Sequence, residues 1–174
     1  MMGESMTELT EDQVLKIMKS YDNDAQQLIA VLLDIQAASG RNCVEKRWAD
    51  LTAEVLDVPL SKIYDILTFY AMFSTEPRGE NVVEICQSTP CHFTQADVVA
   101  GWFEAAAGAK IGETTTDGKI TLCRTSCVGA CDIGPVAKIG DDVFGNLTEE
   151  KVKTLVKSYR EGQPQMREAL ICQN

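Results

Sequence analysis

The sequence predicts an α+β fold in which a helical bundle precedes a small α/β layer. Three observations predict it. Apolar residues recur at three- and four-residue intervals from Thr10 to about Phe73, shorter runs with strand character follow residue 80, and the polar stretch Ser74-Thr75-Glu76-Pro77-Arg78-Gly79-Glu80 lies between them. Placing the boundary in that stretch gives a helical module over 1–80 and a second domain over 81–174. The 174 residues suffice for one ordinary domain or two small ones, burying roughly 68 to 70 % of the unfolded surface.

In the first module, Thr10 with Gln13 reads as a capping box ahead of Val14, Ile17, Met18 and Tyr21. A second helix is expected from near Asp24 through Leu28, Leu32 and Ile35 to a stop at Gly40. The third places Val44, Trp48, Leu51 and Val55 on one side and ends before Pro59; Ser61 then caps a fourth bearing Ile63, Ile66, Leu67, Tyr70 and Phe73. In the second domain, Asn81 to Cys86 reads as a buried strand and His92 to Ala107 as one helix. Asp117-Gly118 introduces a strand over Lys119 to Cys123, and Pro135 to Ile139 pairs with Val143-Phe144 as a hairpin. Thr148 caps a last helix with acids in its first turn and bases in its last, which suits the helix dipole. The tail from Gly162 to Asn174 is expected to be loosely held.

The net charge of −10 is uneven, residues 1–80 carrying 14 acids against 7 bases. Nucleic acid and anionic membranes both need a basic face, so neither is an expected partner. No apolar run approaches the roughly 20 residues of a membrane-spanning helix. The start, Met1 to Asp12, is acidic where a secretory signal is basic and then apolar, so a cytoplasmic protein without direct membrane contact is expected. In that compartment the seven cysteines point to metal binding or redox chemistry rather than structural disulfides.

Cys86 and Cys91 are separated by four residues, Cys127 and Cys131 by three, and each pair is expected in an irregular segment following a strand. Two such pairs can converge at one end of a sheet, where four thiolates meet the demand of a 2Fe-2S or 4Fe-4S cluster or of structural zinc. Spacing also allows Cys123 with Cys127 as the second pair. Pro90 and Gly129 suit loops that wrap a bulky centre. The chain has no Cys-x-x-Cys, which removes a thioredoxin-type dithiol, c-type haem attachment and the plant-type ferredoxin spacing. His92 is the only histidine, one short of a Rieske centre.

Over roughly Ala25 to Arg160 the chain resembles the small thioredoxin-like 2Fe-2S subunit of NADH dehydrogenases, a family that includes subunits of soluble NAD-linked hydrogenases and formate dehydrogenases. The likeness rests on Leu67-Thr68-Phe69-Tyr70-Ala71-Met72-Phe73, on Pro77-Arg78-Gly79, on Cys86-Gln87-Ser88-Thr89-Pro90-Cys91 and on Cys127-Val128-Gly129-Ala130-Cys131, with Pro135 and Asn146-Leu147-Thr148 in place. It implies an N-terminal helical bundle module followed by a thioredoxin-like α/β 2Fe-2S ferredoxin domain. It also implies one 2Fe-2S cluster with Cys86, Cys91, Cys127 and Cys131 as cofactor-binding metal ligands, leaving Cys123 as a strand residue. Gly134 departs from the Ala that relatives often carry before the proline, and Cys43 and Cys172 match no ligand.

A cluster of this kind takes one electron at a time while a nicotinamide gives two as a hydride, so a flavin must stand between them. The chain has no Gly-x-Gly and no phosphate-binding Gly-Lys-Thr/Ser loop. NAD(H) and FMN are therefore expected on a partner subunit, with further iron-sulfur subunits beyond it and no catalysis by this chain alone. A soluble hydrogenase or formate dehydrogenase system, one able to couple to ferredoxin, is the favoured setting; a zinc-stabilised assembly module without redox activity is the alternative. Most of Tyr64, Phe69, Tyr70, Met72 and Phe73 are expected in the core rather than on a docking face, together with Trp48 and Trp102. His92 is expected at the surface or a helix start, and Asp141-Asp142 at a turn facing solvent.

Overall fold

The computed structural model describes residues 9–162, in two compact units that divide between Arg78 and Gly79. The tail after Gly162, including Cys172, lies outside the described residues. Among those described, no helix is long and apolar enough to cross a membrane.

The first unit is all helical. The Gln13 side chain accepts from the Thr10 N–H at 2.9 Å, and α1 (Glu11–Ser20) buries Val14 and Met18 on one face. Asp24 accepts from the Gln26 N–H at 2.8 Å, starting a short 3-10 turn that runs into α2 (Leu28–Ala38). Val31, Leu32 and Ile35 of α2 are fully buried. Next, α3 (Lys46–Val55) contributes Trp48, Ala49 and Thr52, and α4 (Leu60–Phe69) contributes Ile63 and Leu67. The apolar side chains among these form one core, and the buried Thr52 hydroxyl donates to the Trp48 carbonyl.

Two expectations for α4 are corrected. Pro59, not Ser61, occupies its N-cap. Proline has a fixed φ and no N–H to leave unsatisfied, so it suits a helix start, and Ser61 falls inside the first turn. The helix also stops at Phe69, and Phe73 reaches the core through an irregular segment. The Gln36 amide holds that segment, donating to the Met72 carbonyl and accepting from the Ser74 N–H, both at 2.9 Å. Tyr70 and Met72, in that segment, are outside the core where burial is expected, and so is Phe69, 80 % exposed on the solvent side of the last turn of α4 with Asp65 and Thr68. Tyr64 is half-buried.

The second unit is a four-stranded mixed sheet in the order β2-β1-β3-β4. Strands β1 (Asn81–Cys86) and β2 (Ile120–Thr125) are parallel, from Asn81 opposite Ile120 to Cys86 opposite Thr125. A parallel neighbour requires a crossover, which α6 (Ala96–Ala107) supplies. Strand β3 (Ala137–Ile139) runs antiparallel to β1 and turns through Gly140-Asp141 into β4 (Asp142–Phe144). Val83, Ile85, Ile120, Leu122 and Phe144 pack against Phe103 of α6 and Leu155 of α7 (Glu149–Arg160). Thr148 caps α7 through the Lys151 N–H. Asp142 is a strand residue that accepts from the Tyr159 hydroxyl at 3.1 Å, a correction to its expected place in the turn. Trp102 is only partly buried against this core.

The single helix expected over 92–107 is two. A five-residue helix, α5 (Thr89–Phe93), carries Pro90 in its first turn and is separated from α6 by Gln95, whose φ of 70° is left-handed and cannot continue a helix. Cys91 therefore sits in a short helix rather than an irregular segment.

Candidate metal centre

The parallel pairing of β1 and β2 decides where the thiols gather. Cys86 is the last residue of β1 and stands opposite Thr125, the last of β2, so the two cysteine-bearing segments leave the sheet at the same end. The Gln87 N–H to Thr125 carbonyl bond, 3.0 Å, extends the pairing one residue beyond the strands. A third segment joins them, because the Cys86 N–H donates to the Val136 carbonyl at 3.0 Å, just after the cis Gly134–Pro135 peptide.

The thiols group two by two. Cys86 and Cys91 are each 1 % exposed, inside an apolar jacket with Ala96 and Val136. Cys127 and Cys131 are exposed, with their sulfurs 3.3 Å apart. The pairs share one locale, since Gly134 stands between them: a β-carbon there would lie within 4 Å of both the Cys131 carbonyl and Cys91 Sγ. Among the described residues, no group of three or more His, Cys, Asp and Glu converges on a single-ion position.

Main-chain N–H groups aim at the sulfurs. Burial pushes the Cys86 thiol up, but hydrogen bonds from the Ser88 main chain, the Cys91 thiol, the Ser88 hydroxyl and the Val128 main chain outweigh it and hold Cys86 below the ordinary thiol range. Cys91 receives the Val136 N–H, yet burial and its bond to Cys86 push it up to about 11. Cys127 accepts the Gly129 N–H at 3.4 Å; Gly129 has φ +88°, a conformation that L side chains rarely adopt. Cys131 is raised by its bond to Cys127, then by burial and repulsion from Cys127, Cys86 and Asp132. Thiolates that repel one another in this way are stabilised by a bound cation.

Gly134 lies where the segments cross. A β-carbon there would sit 3.1 Å from Thr94 Oγ1, 3.3 Å from the Cys131 carbonyl and 3.6 Å from Cys91 Sγ. Cys123, by contrast, lies in β2 with its sulfur 3.6 Å from the Val83 carbonyl of β1. His92 is exposed and pairs with Asp97 at 3.1 Å. The donors from Ser88, Val128, Gly129 and Val136 could not be chosen from the sequence, because every residue but proline carries the same N–H and only the folded backbone aims it.

A family model for thioredoxin-like [2Fe-2S] ferredoxins matches residues 14–160. The chain belongs to that family. It is 33 % identical over 144 residues to an NADH-quinone oxidoreductase subunit of Rickettsia felis, covering 82 % of this chain and 86 % of that one. It is 29 % identical over 147 residues to the HndA subunit of the NADP-reducing hydrogenase of Solidesulfovibrio fructosivorans, covering 84 % and 85 %. Its fold matches a crystal structure of an air-oxidized NAD+-reducing [NiFe]-hydrogenase with a TM-score of 0.71 at 18 % identity, covering 92 % of this chain and 26 % of that one.

As a thioredoxin-like [2Fe-2S] ferredoxin the chain carries one 2Fe-2S cluster. The residues present fit that group: four cysteine thiolates are the usual complement of a 2Fe-2S centre, and here two thiol pairs stand at one sheet end, with the Gly129 N–H 3.4 Å from the Cys127 sulfur. The cluster supplies one-electron uptake and release. The protein's part is to hold the thiolates, to stabilise negative charge on sulfur through N–H groups, and to keep one pair away from water, the settings on which a cluster potential depends.

Proposed function

We propose that this chain is the one-electron subunit beside the NAD(H)- and FMN-binding subunit of a multi-subunit oxidoreductase of NADH dehydrogenase, hydrogenase or formate dehydrogenase type, with Cys86, Cys91, Cys127 and Cys131 as its cluster ligands. The observation that carries this is the placing of both pairs at one sheet end, Cys86–Cys91 buried and Cys127–Cys131 in sulfur contact, with the Gly129 N–H turned toward Cys127. The relatives with NADH, quinone and hydrogenase in their names supply the NAD-linked setting. A nicotinamide delivers two electrons at once, so FMN on the partner splits the pair and further iron-sulfur subunits receive what this chain passes on. A ferredoxin-coupled complex in the cytoplasm suits the reduced thiols.

Iron and acid-labile sulfide analysis of the purified chain, with its visible spectrum, tests the ligand set. Cys86→Ser, Cys91→Ser, Cys127→Ser and Cys131→Ser should each lose iron or alter the spectrum, while Cys123→Ala should keep both. Loss in Cys123→Ala with retention in Cys131→Ser would move the second pair to Cys123 and Cys127. A colourless, zinc-containing protein would overturn the electron-carrier reading. Co-purification with a flavoprotein from native cells tests the partner, and recovery as a solitary monomer under mild conditions counts against it.

A further inference from the structure

The two thiol pairs differ in a way that electron carriage does not require. Cys86 and Cys91 are sealed in an apolar jacket, each 1 % exposed. Cys127 and Cys131 are exposed, their sulfurs already in contact at 3.3 Å. Between them Gly129, at φ +88°, folds the loop back on itself. A small disulfide arriving from solvent can reach the second pair without any opening of the fold, whereas access to the first pair requires displacing Ala96 and Val136. Thiol–disulfide exchange is governed by access of this kind as well as by the chemistry of the sulfurs.

We infer that the exposed pair is a modification site: in the cluster-free chain Cys127 and Cys131 close to an intramolecular disulfide when met by a low-molecular-weight disulfide of the glutathione class. One protein thiolate attacks the small disulfide, whose S–S bond breaks as a mixed disulfide forms, and the departing thiolate takes up a proton. The second protein sulfur, 3.3 Å away, then attacks the mixed disulfide and loses its proton, and the second small thiol leaves. Two protein thiols are oxidised and one small disulfide is reduced to two thiols, so atoms and electrons balance. Resting on the ligand set proposed above, the consequence is that oxidation closes the outer half of the site to cluster loading until a reductant reopens it.

Tryptic cleavage after Arg124 and Lys138 places both sulfurs in one peptide, Thr125 to Lys138, apart from Cys86, Cys91 and Cys123. The full chain, stripped of iron by a chelator and shown by far-ultraviolet circular dichroism to keep its helices, is incubated with oxidised glutathione beside the iron-loaded chain. The stripped chain should lose two hydrogens within that peptide, regain them with dithiothreitol, and take up iron and sulfide only after reduction. Cys127→Ser should instead trap glutathione on Cys131. Retention of both thiols in the stripped wild-type peptide, closure of Cys86 with Cys91 in their place, or loss of helix before oxidant is added would overturn the inference. If the iron-loaded chain forms the same disulfide while keeping all its iron, the disulfide stands and the ligand set fails, so the two failures are distinguishable.

Discussion

Cys86 and Cys127 are the same residue in two solvents. One accepts main-chain and hydroxyl hydrogen bonds inside an apolar jacket, the other a single N–H at the surface. Neither setting is written in the cysteine; both come from neighbours contributed by other segments. Gly129 is the residue where local conformation and site meet, because its left-handed φ both turns the loop and aims its N–H at Cys127. Gly129→Ala should therefore cost about 1–2 kcal/mol, the penalty for an L side chain in that region, read as a lower melting temperature. It should also speed iron release to a chelator. Unchanged release would mean the loop has no part in holding the metal.

At the scale of elements, most were legible because their signals are local. The α1 capping pair Thr10 and Gln13, the strand Asn81 to Cys86, the hairpin around Gly140 and the Thr148 cap depend on residues a few positions apart, and each formed. The errors were where a distant contact or an unusual dihedral decided. Nothing in the periodicity of 92–107 announces that Gln95 adopts φ 70° and splits α5 from α6. Glycine would hold that dihedral without strain, relieving about 1–2 kcal/mol but surrendering roughly 0.5–1 kcal/mol of chain entropy. Gln95→Gly should thus raise stability by up to about 1.5 kcal/mol, visible as a higher urea midpoint; a lower midpoint would show that the Gln95 side chain contributes more than its backbone strain costs. Likewise Tyr70 continues the apolar spacing of α4, yet the helix ends at Phe69 where Gln36 clamps Met72 and Ser74, and Tyr70 is left outside the core, while Phe69 stands on the exposed side of the last helical turn.

At the scale of the whole molecule, an excess of 26 acids over 16 bases keeps the protein far from neutrality, and acid stability depends on which carboxylates the fold engages. Asp117 is one. Donation by the Thr115 hydroxyl, then by the Lys119 N–H, and the Arg160 guanidinium hold its carboxyl below the ordinary value despite partial burial, joining the loop before β2 to the end of α7. A depressed folded value favours the ionised form in the native state, so its contribution is complete above the unfolded value of 3.8 and is lost as pH falls through the folded value below it. Asp117→Asn should be less stable than the parent near neutral pH, and the gap should close on acidification below about pH 3. Urea midpoints of the two proteins across that range check this, and a gap independent of pH would show that the charge is not what stabilises the contact.

By itself the sequence determined what short-range physics can determine: two rhythms of apolar residues, the caps, the thiol spacing and the exclusion of Cys-x-x-Cys chemistry. It could offer both Cys123 and Cys131 as companions for Cys127, since either spacing suits a metal loop. Only the tertiary structure placed Cys131 against Cys127 and left the Cys123 sulfur beside the Val83 carbonyl, and only it made one pair buried and the other exposed. The reason is physical. A strand's end, the parallel register that sets Cys86 opposite Thr125, and the aim of a backbone N–H all depend on segments far apart in the chain, whose meeting no local pattern encodes.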